Sequence, residues 1–104
     1  MTKELIQIEL NRLIHFLEMY KNAEYDLSKA KNNSERKDAK HNIDISKISI
    51  KQIFELNKDL IKIVTPKDKP TNQYEYISDS FISTHFAKDI EQYITKIQEY
   101  LESK

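Results

Sequence analysis

Apolar residues recur at helical spacing in three long segments of the chain. In the first segment, residues 3–31, positions three and four apart fall on one face when each residue advances about 100° around the axis. That face contains Ile6, Leu10, Leu13, Phe16, Leu17, Tyr20, Ala23 and Leu27. The second and third segments, residues 35–64 and 82–102, have the same period and set apolar residues opposite charged ones. The pattern predicts three long amphipathic helices.

The stretches between these segments carry signals that end helices. Asn32, with Glu35 three residues later, is a capping pair that favours a new helix start. A bend in one long helix is the alternative, because neither Gly nor Pro stands there. Pro66 cannot continue the second helix. Residues 72–80 are predicted to be a short helical or irregular segment, since Phe81 falls opposite the apolar face of the last helix. The chain is therefore predicted to be an all-α, antiparallel three-helix bundle in one domain, residues 1–104.

The apolar faces of the three predicted helices differ in width. The first two cover about 180° of the circumference and the third about 140°, which is all that a three-helix monomer needs. We expect the surplus to be buried against another protein or a second copy, unless the segment 74–81 covers it within the chain. Aromatic residues of that segment are also candidate anchors, because they bury much area at low entropic cost. The candidate interface residues are Ile8, Met19, Ile45, Leu56, Ile63, Tyr74, Tyr76 and Phe81.

One polar residue, Asn57, falls near the middle of the apolar arc of the second helix. A polar side chain in a helical seam can determine the register of packing at some cost in stability. The alternative is that the helix is only partly covered there and that Asn57 contacts water.

The composition excludes several kinds of chemistry. The chain has no Gly and no Cys, which excludes Gly-rich phosphate loops, disulfides, thiolate metal sites and cysteine nucleophiles. Basic and acidic residues number 17 each, so no net charge attracts nucleic acid or an acidic membrane. No apolar run approaches about 18 residues, so no transmembrane helix is expected. We expect a cytoplasmic protein without a cofactor. Its 37 Lys, Ile and Asn residues have AT-rich codons, which favours an AT-rich genome or a mobile element such as a phage.

Neither the histidines nor the lysines predict a site. A metal site in a bundle needs ligands that converge on the core, whereas two of the three histidines fall on polar faces, so no metal is expected. The histidines and their neighbouring carboxylates are His15 with Glu18, His41 with Asp44, and His85 with Asp89. A stripe of lysines on the second helix is interrupted by acidic residues and lacks interleaved aromatic residues, which favours a solvated face over nucleic-acid binding. The stripe consists of Lys40, Lys47, Lys51, Lys58 and Lys62.

Arg36 and His41 are separated by four residues, in the run Arg-Lys-Asp-Ala-Lys-His. This spacing resembles the active-site motif of the HEPN ribonucleases, which are helical and often dimeric. The resemblance covers six residues and implies that Arg36 and His41 would meet their symmetry mates across a dimer and cleave RNA. The chain departs from that pattern at Lys37, where those proteins usually carry Asn, Asp or His, and the run lies near a helix start.

The sequence therefore predicts a small non-enzymatic helical module that binds protein, of the inhibitor, immunity or adaptor type, with self-association through the first two helices. The first alternative is a minimal dimeric HEPN-like ribonuclease or a component of a toxin system. The second is a weak nucleic-acid binder that uses the lysines of the second helix.

Overall fold

The structure is a computed structural model, and it describes residues 1–66 and 77–103. Within these ranges the α-helices with described bounds are α1 (Lys3–Lys29), α2 (Asn33–Leu56), α3 (Lys58–Val64) and α4 (Phe86–Glu102). A 3₁₀ helix spans Asp79–Phe81, and residues 77–78 just before it are also α-helical. No strand occurs within these described ranges. The predicted all-α antiparallel bundle is confirmed.

Helices α1 and α2 form an antiparallel hairpin with a tight connection at residues 30–32. The Asn32 side chain accepts a hydrogen bond from the Glu35 backbone N–H at 2.8 Å, and the Glu35 carboxylate accepts one from the Lys31 N–H at 2.7 Å. These bonds satisfy backbone donors that the start of a helix leaves unpaired. The capping pair therefore starts a new helix, and the chain turns here instead of bending.

Helix α4 runs antiparallel to α1 and packs along α1 and α3. Near its start, the Phe86 ring lies edge-on to Tyr20, with 4.8 Å between ring centroids, and the next turn is joined to α1 by an ion pair between Lys21 and Glu91. Near its other end, the Lys96 ammonium donates to the Val64 carbonyl at 3.1 Å, at the last residue of α3. Helix α4 thus covers one side of the α1–α2 hairpin.

The core lies where the apolar faces of α1, α2, α3 and α4 meet. Its members are spaced three and four residues apart on each helix, as the hydrophobic pattern predicts. They are Ile6, Leu10, Leu13, Leu17, Tyr20, Ile50, Ile53, Phe54, Leu60, Ile61, Val64, Ile77, Phe86, Ile90, Tyr93, Ile94, Ile97 and Leu101.

The helix bounds differ from the predicted ones in four places, the first being the start of α2 at Asn33 and not at residue 35. The first helix ends at Lys29 and not at residue 31. The second predicted helix, 35–64, is two helices, because the chain breaks at Asn57. The last helix begins at Phe86 and not at residue 82, so Ile82 lies in a turn with 85% of its surface exposed. Of the predicted segment 72–80, residues 72–76 lie outside the described residues.

Tyr20 makes the stability of the bundle sensitive to alkaline pH. Burial raises the pKa of its phenol above the ordinary value of 10.0, and the Glu24 carboxylate raises it further through its charge and a hydrogen bond. The group therefore contributes stability that is fully present below the unfolded pKa and is lost as pH rises through the folded pKa. As the pH rises from about 8 to about 11, the free energy of unfolding, measured with urea, should fall less for Tyr20→Phe than for the wild type. Equal losses in the two proteins would contradict this, since the lysines titrate alike in both.

Candidate functional site

The strongest candidate site is an apolar surface on the α1–α2 hairpin, which we call the outer hairpin face. Five aliphatic side chains in this region are exposed to solvent, unlike the aliphatic side chains of the core, which are buried. They are Leu5 at 50%, Ile8 at 53%, Ile45 at 37%, Ile48 at 55% and Leu56 at 79% of their surface. Single exposed apolar residues are ordinary, whereas a group on one side of a hairpin is typical of an interaction site.

This face points away from α4. On α1, Ile8 lies about 140° around the axis from Lys21, the residue that binds Glu91 of α4. On α2, the Lys47 ammonium lies 5.1 Å from the Phe86 ring of α4, and Leu56 lies about 180° around the axis from Lys47. Helix α4 therefore cannot cover the outer hairpin face.

The break at Asn57 separates the surroundings of Leu56 from those of Leu60. Leu56 and Leu60 are four residues apart and would share one face of a continuous helix. In the structure Leu60 is fully buried, whereas Leu56 exposes 79% of its surface. The backbone at Asn57 leaves the helical region, with φ −128° and ψ 73°. The chain then turns α3 into the core and leaves Leu56 at the surface.

Hydrogen bonds of the Asn57 side chain hold this break in place. Its amide donates to the Ile53 carbonyl at 2.8 Å, while its own backbone N–H goes to the Phe54 carbonyl at 3.3 Å. The side chain thus satisfies the carbonyl that the backbone N–H would bind in a continuous helix. The same amide donates to the Glu9 carboxylate of α1 at 3.2 Å. The Asn57 side chain therefore links the end of α2 to α1, and its role in determining the register of packing stays a prediction.

The link between Glu9 and Asn57 brings the two halves of the outer hairpin face together. Glu9 follows Ile8, and Asn57 follows Leu56, so the bond sets Ile8 and Leu56 at the same level of the hairpin. Arg12 donates two hydrogen bonds to the Glu9 carboxylate, at 3.1 and 2.9 Å. The polar groups beside the apolar face are thus paired with one another and add no net charge to its edge.

Of the eight predicted interface residues, Ile8, Ile45 and Leu56 are exposed on this face. Met19 lies on the same side of α1 as Ile8, about 20° away around the axis, but it is half-buried in a shallow cleft between α1 and α2, beside His15 and Asn42. Two others are half-buried against the core on other sides of the bundle: Ile63 in α3, and Phe81, whose ring centroid lies 5.6 Å from that of Phe86. Tyr74 and Tyr76 lie outside the described residues.

Leu5 and Ile48 border the face, Ile48 about 80° around α2 from Leu56, and neither was among the predicted interface residues. Leu5 lies three residues before Ile8, and Ile48 lies three residues after Ile45, so helical spacing was the available signal. That signal was weak because both residues stand among charged neighbours and outside the main apolar arcs. The position of α4 in the structure is needed to show which edge of the broad apolar face of each of the first two helices stays exposed to solvent.

A second cleft, of about 660 Å³, lies at the opposite side of the same end of the bundle, between the start of α1, α3 and the end of α4. The terminal ammonium of Met1 binds the Asp59 carboxylate there at 2.8 Å. This hydrogen bond, and then the charge of the ammonium, lowers the pKa of Asp59. Among the described residues, no buried side-chain nitrogen or oxygen lacks a hydrogen-bond partner. The lining of the cleft therefore includes no buried, unpaired side-chain nitrogen or oxygen among the described residues.

Arg36 and His41 lie on α2 near the hairpin connection, and both are exposed. They project about 140° apart around the helix, and the Arg36 guanidinium donates to the Asn33 side chain at 3.2 Å. About 22 Å of helix separates His41 from Leu56 at about 1.5 Å per residue. The motif residues therefore lie well away from the Leu56 end of the hairpin.

The lysine stripe of the second predicted helix is divided in the structure. Lys47 lies over the Phe86 ring, and Lys51 pairs with Glu55 at 3.8 Å. Lys58 and Lys62 belong to α3, on the far side of the break at Asn57. The stripe is thus not one continuous basic surface.

Neither metal ligands nor membrane spans stand out in the part of the chain that is described. Within residues 1–66 and 77–103, no three His, Asp or Glu side chains are grouped so as to hold a metal ion. No helix in those ranges is long and apolar enough to cross a membrane.

No protein-family model matches the chain, and neither the curated proteins nor the solved structures include a significant match. The geometry of the outer hairpin face therefore carries the functional argument alone.

Proposed function

We propose that this chain is a non-enzymatic protein-binding module that docks a partner through the outer hairpin face. The exposure of Leu56, at 79% and at the level of the half-exposed Ile8 of α1, is the observation that carries the proposal. Moving a large aliphatic side chain from water into a fully buried contact lowers the free energy by about 1.5–3 kcal/mol. A partner that covers several such side chains recovers that free energy.

The geometry of the face supports a helical mode of recognition. Two antiparallel helices side by side form a shallow groove, and an amphipathic helix of a partner can lay its apolar face into such a groove. The module would then act by occlusion or bridging, as an inhibitor, an immunity protein or an adaptor does. The proposal includes a cytoplasmic location, because a cysteine-free chain does not depend on an oxidising compartment. It also includes origin in an AT-rich genome or mobile element.

Site-specific photo-cross-linking in the cells that encode the chain tests this proposal. A benzophenone amino acid at position 56 should give one discrete adduct on a denaturing gel, because Leu56 would lie against the partner. The matched control carries the same group at position 99, where Glu99 is exposed on α4 and outside the face. Adding Ile8→Glu should remove the position-56 adduct. The absence of an adduct specific to position 56, or equal yields from both positions, would overturn the proposal.

A further inference from the structure

We propose that the cleft between the start of α1, α3 and the end of α4, which we call the end cleft, binds a small molecule with an aliphatic body and a carboxylate head group. The inference goes beyond the proposed function, because the described lining of the end cleft includes none of the exposed aliphatic residues of the outer hairpin face. The volume of the end cleft is about 660 Å³. Small-molecule sites usually have volumes of about 300–1,000 Å³.

Apolar side chains from all three helices line the end cleft. Ile6 of α1 and Val64 of α3 are buried beneath it, while Ile63 of α3 and Tyr100 of α4 are half-buried beside it. An aliphatic group that enters the cleft removes apolar surface of these side chains, and its own, from water. The lining therefore favours a ligand whose body is apolar.

Two lysines give the end cleft a surplus of positive charge. Its described lining contains three cationic groups and one carboxylate, which are the terminal ammonium of Met1, Lys62, Lys96 and Asp59. The Asp59 carboxylate is already bound by the Met1 ammonium. In the described part of the chain, neither lysine forms an ion pair. An anionic head group is therefore the complement of the charge that remains.

The protein holds the Lys96 ammonium at a defined place beside the apolar lining. This ammonium donates one hydrogen to the Val64 carbonyl at 3.1 Å, which leaves two of its three hydrogens for another acceptor. Lys96 and Tyr100 are four residues apart on α4, so they lie on the same face of that helix. A ligand with its head group at Lys96 would thus have its body against Tyr100.

The donors of the end cleft suit a carboxylate better than a phosphate. Phosphates are commonly held by the forked guanidinium of Arg or by successive backbone N–H groups, and no Arg belongs to the described lining. An ammonium needs only one carboxylate oxygen to form a charge-assisted hydrogen bond. The ligand class that fits is therefore a monocarboxylate such as a short fatty acid.

Titration of the full chain with octanoate, followed by the amide NMR spectrum, tests this site. Octanoate should shift the amide signals of Ile63, Val64 and Tyr100 saturably. Octylamine has the same aliphatic body but a positive head group at neutral pH, and it should leave these signals unchanged. Octanol, which has no charge, should bind more weakly than octanoate.

Replacing both lysines separates the effect of charge from that of the apolar lining. Lys62→Gln combined with Lys96→Gln should raise the dissociation constant for octanoate at least about tenfold, because hydrogen bonds to charged groups are lost. Gln at position 96 can still donate to the Val64 carbonyl, and unchanged signals elsewhere in the spectrum would show that the fold is kept. Lys88→Gln is the matched control, because Lys88 is an exposed lysine of α4 outside the cleft, and its dissociation constant should equal that of the wild type.

Each outcome decides for or against the end cleft. Saturable shifts at its lining that the double variant weakens and Lys88→Gln does not would support the inference. The absence of saturable shifts up to the solubility limit of octanoate, or shifts centred on Leu56, would overturn it. Equal binding of octanol, or tighter binding of octyl phosphate, would overturn the carboxylate. The cross-linking at position 56 is a separate measurement, so failure here leaves the proposed function standing.

Discussion

Replacing Phe54 with Ala is expected to lower the free energy of unfolding by about 3–5 kcal/mol. Phe54 is fully buried in the last part of α2, and its ring lies edge-on to Tyr93 of α4 with 5.9 Å between centroids. Removing the ring leaves a cavity and deletes an aromatic contact that joins α2 to α4. The total stability of a domain of this size is about 5–15 kcal/mol, so the variant would lose a large share of it.

Leu56→Ala is the matched control for Phe54→Ala, on the same helix and two residues away. Its side chain is 79% exposed, so we expect a change within about 0.5 kcal/mol. Urea unfolding at the lowest protein concentration that gives a signal measures both variants without a contribution from association. A loss for Leu56→Ala comparable to that for Phe54→Ala would mean that Leu56 is packed within the monomer.

Replacing Phe86 with Ala is expected to cost a similar amount, about 3–5 kcal/mol. Phe86 is the first residue of α4 and is buried, and its ring contacts Tyr20 of α1 and Phe81 of the 3₁₀ helix. The Lys47 ammonium lies over the same ring and adds a cation–π attraction, which is about 0.5–1 kcal/mol at exposed sites. One side chain therefore holds the start of α4 against three other elements.

Thermal unfolding followed by circular dichroism would measure this loss. A shift of about 4–8 °C in midpoint is expected for each kcal/mol in a domain of about this size. The control is Ile82→Ala, four residues before Phe86 and exposed to solvent, whose midpoint should stay near that of the wild type. Equal shifts for the two variants would contradict the assignment of Phe86 as the packing residue at the start of α4.

Local patterning was sufficient to predict the helices themselves. The three-and-four spacing of Ile6, Leu10 and Leu13 in α1, and of Ile90, Ile94 and Ile97 in α4, is a property of the helical repeat, and these residues are buried as predicted. The cap at Asn32 was likewise readable, because a capping pair acts over three residues. Effects of this range need no knowledge of the rest of the chain.

The break at Asn57 could not be predicted in the same way. Asn57 carries no Gly or Pro signal beside it, and the apolar pattern continues across it to Val64. Its non-helical backbone is stabilised by the bond to Glu9, a residue 48 positions away, and by the burial of Leu60. Contacts between residues far apart in the chain are visible only once α1 and α2 lie side by side.

By itself, the sequence determined an all-α bundle and the sides of the helices that form its core, because these depend on a repeat of 3.6 residues. It also excluded chemistry that needs cysteine or glycine, because that depends on composition alone. It also showed that the first two helices carry more apolar surface than a three-helix core needs. Only the tertiary structure decided where that surplus lies. Helix α4 covers one edge of each broad arc, so Ile8, Ile45 and Leu56 stay exposed on the outer hairpin face, while Ile63 of α3 packs against the core. The physical reason is that a wheel shows which residues share a side of one helix, whereas burial depends on where the neighbouring helix lies.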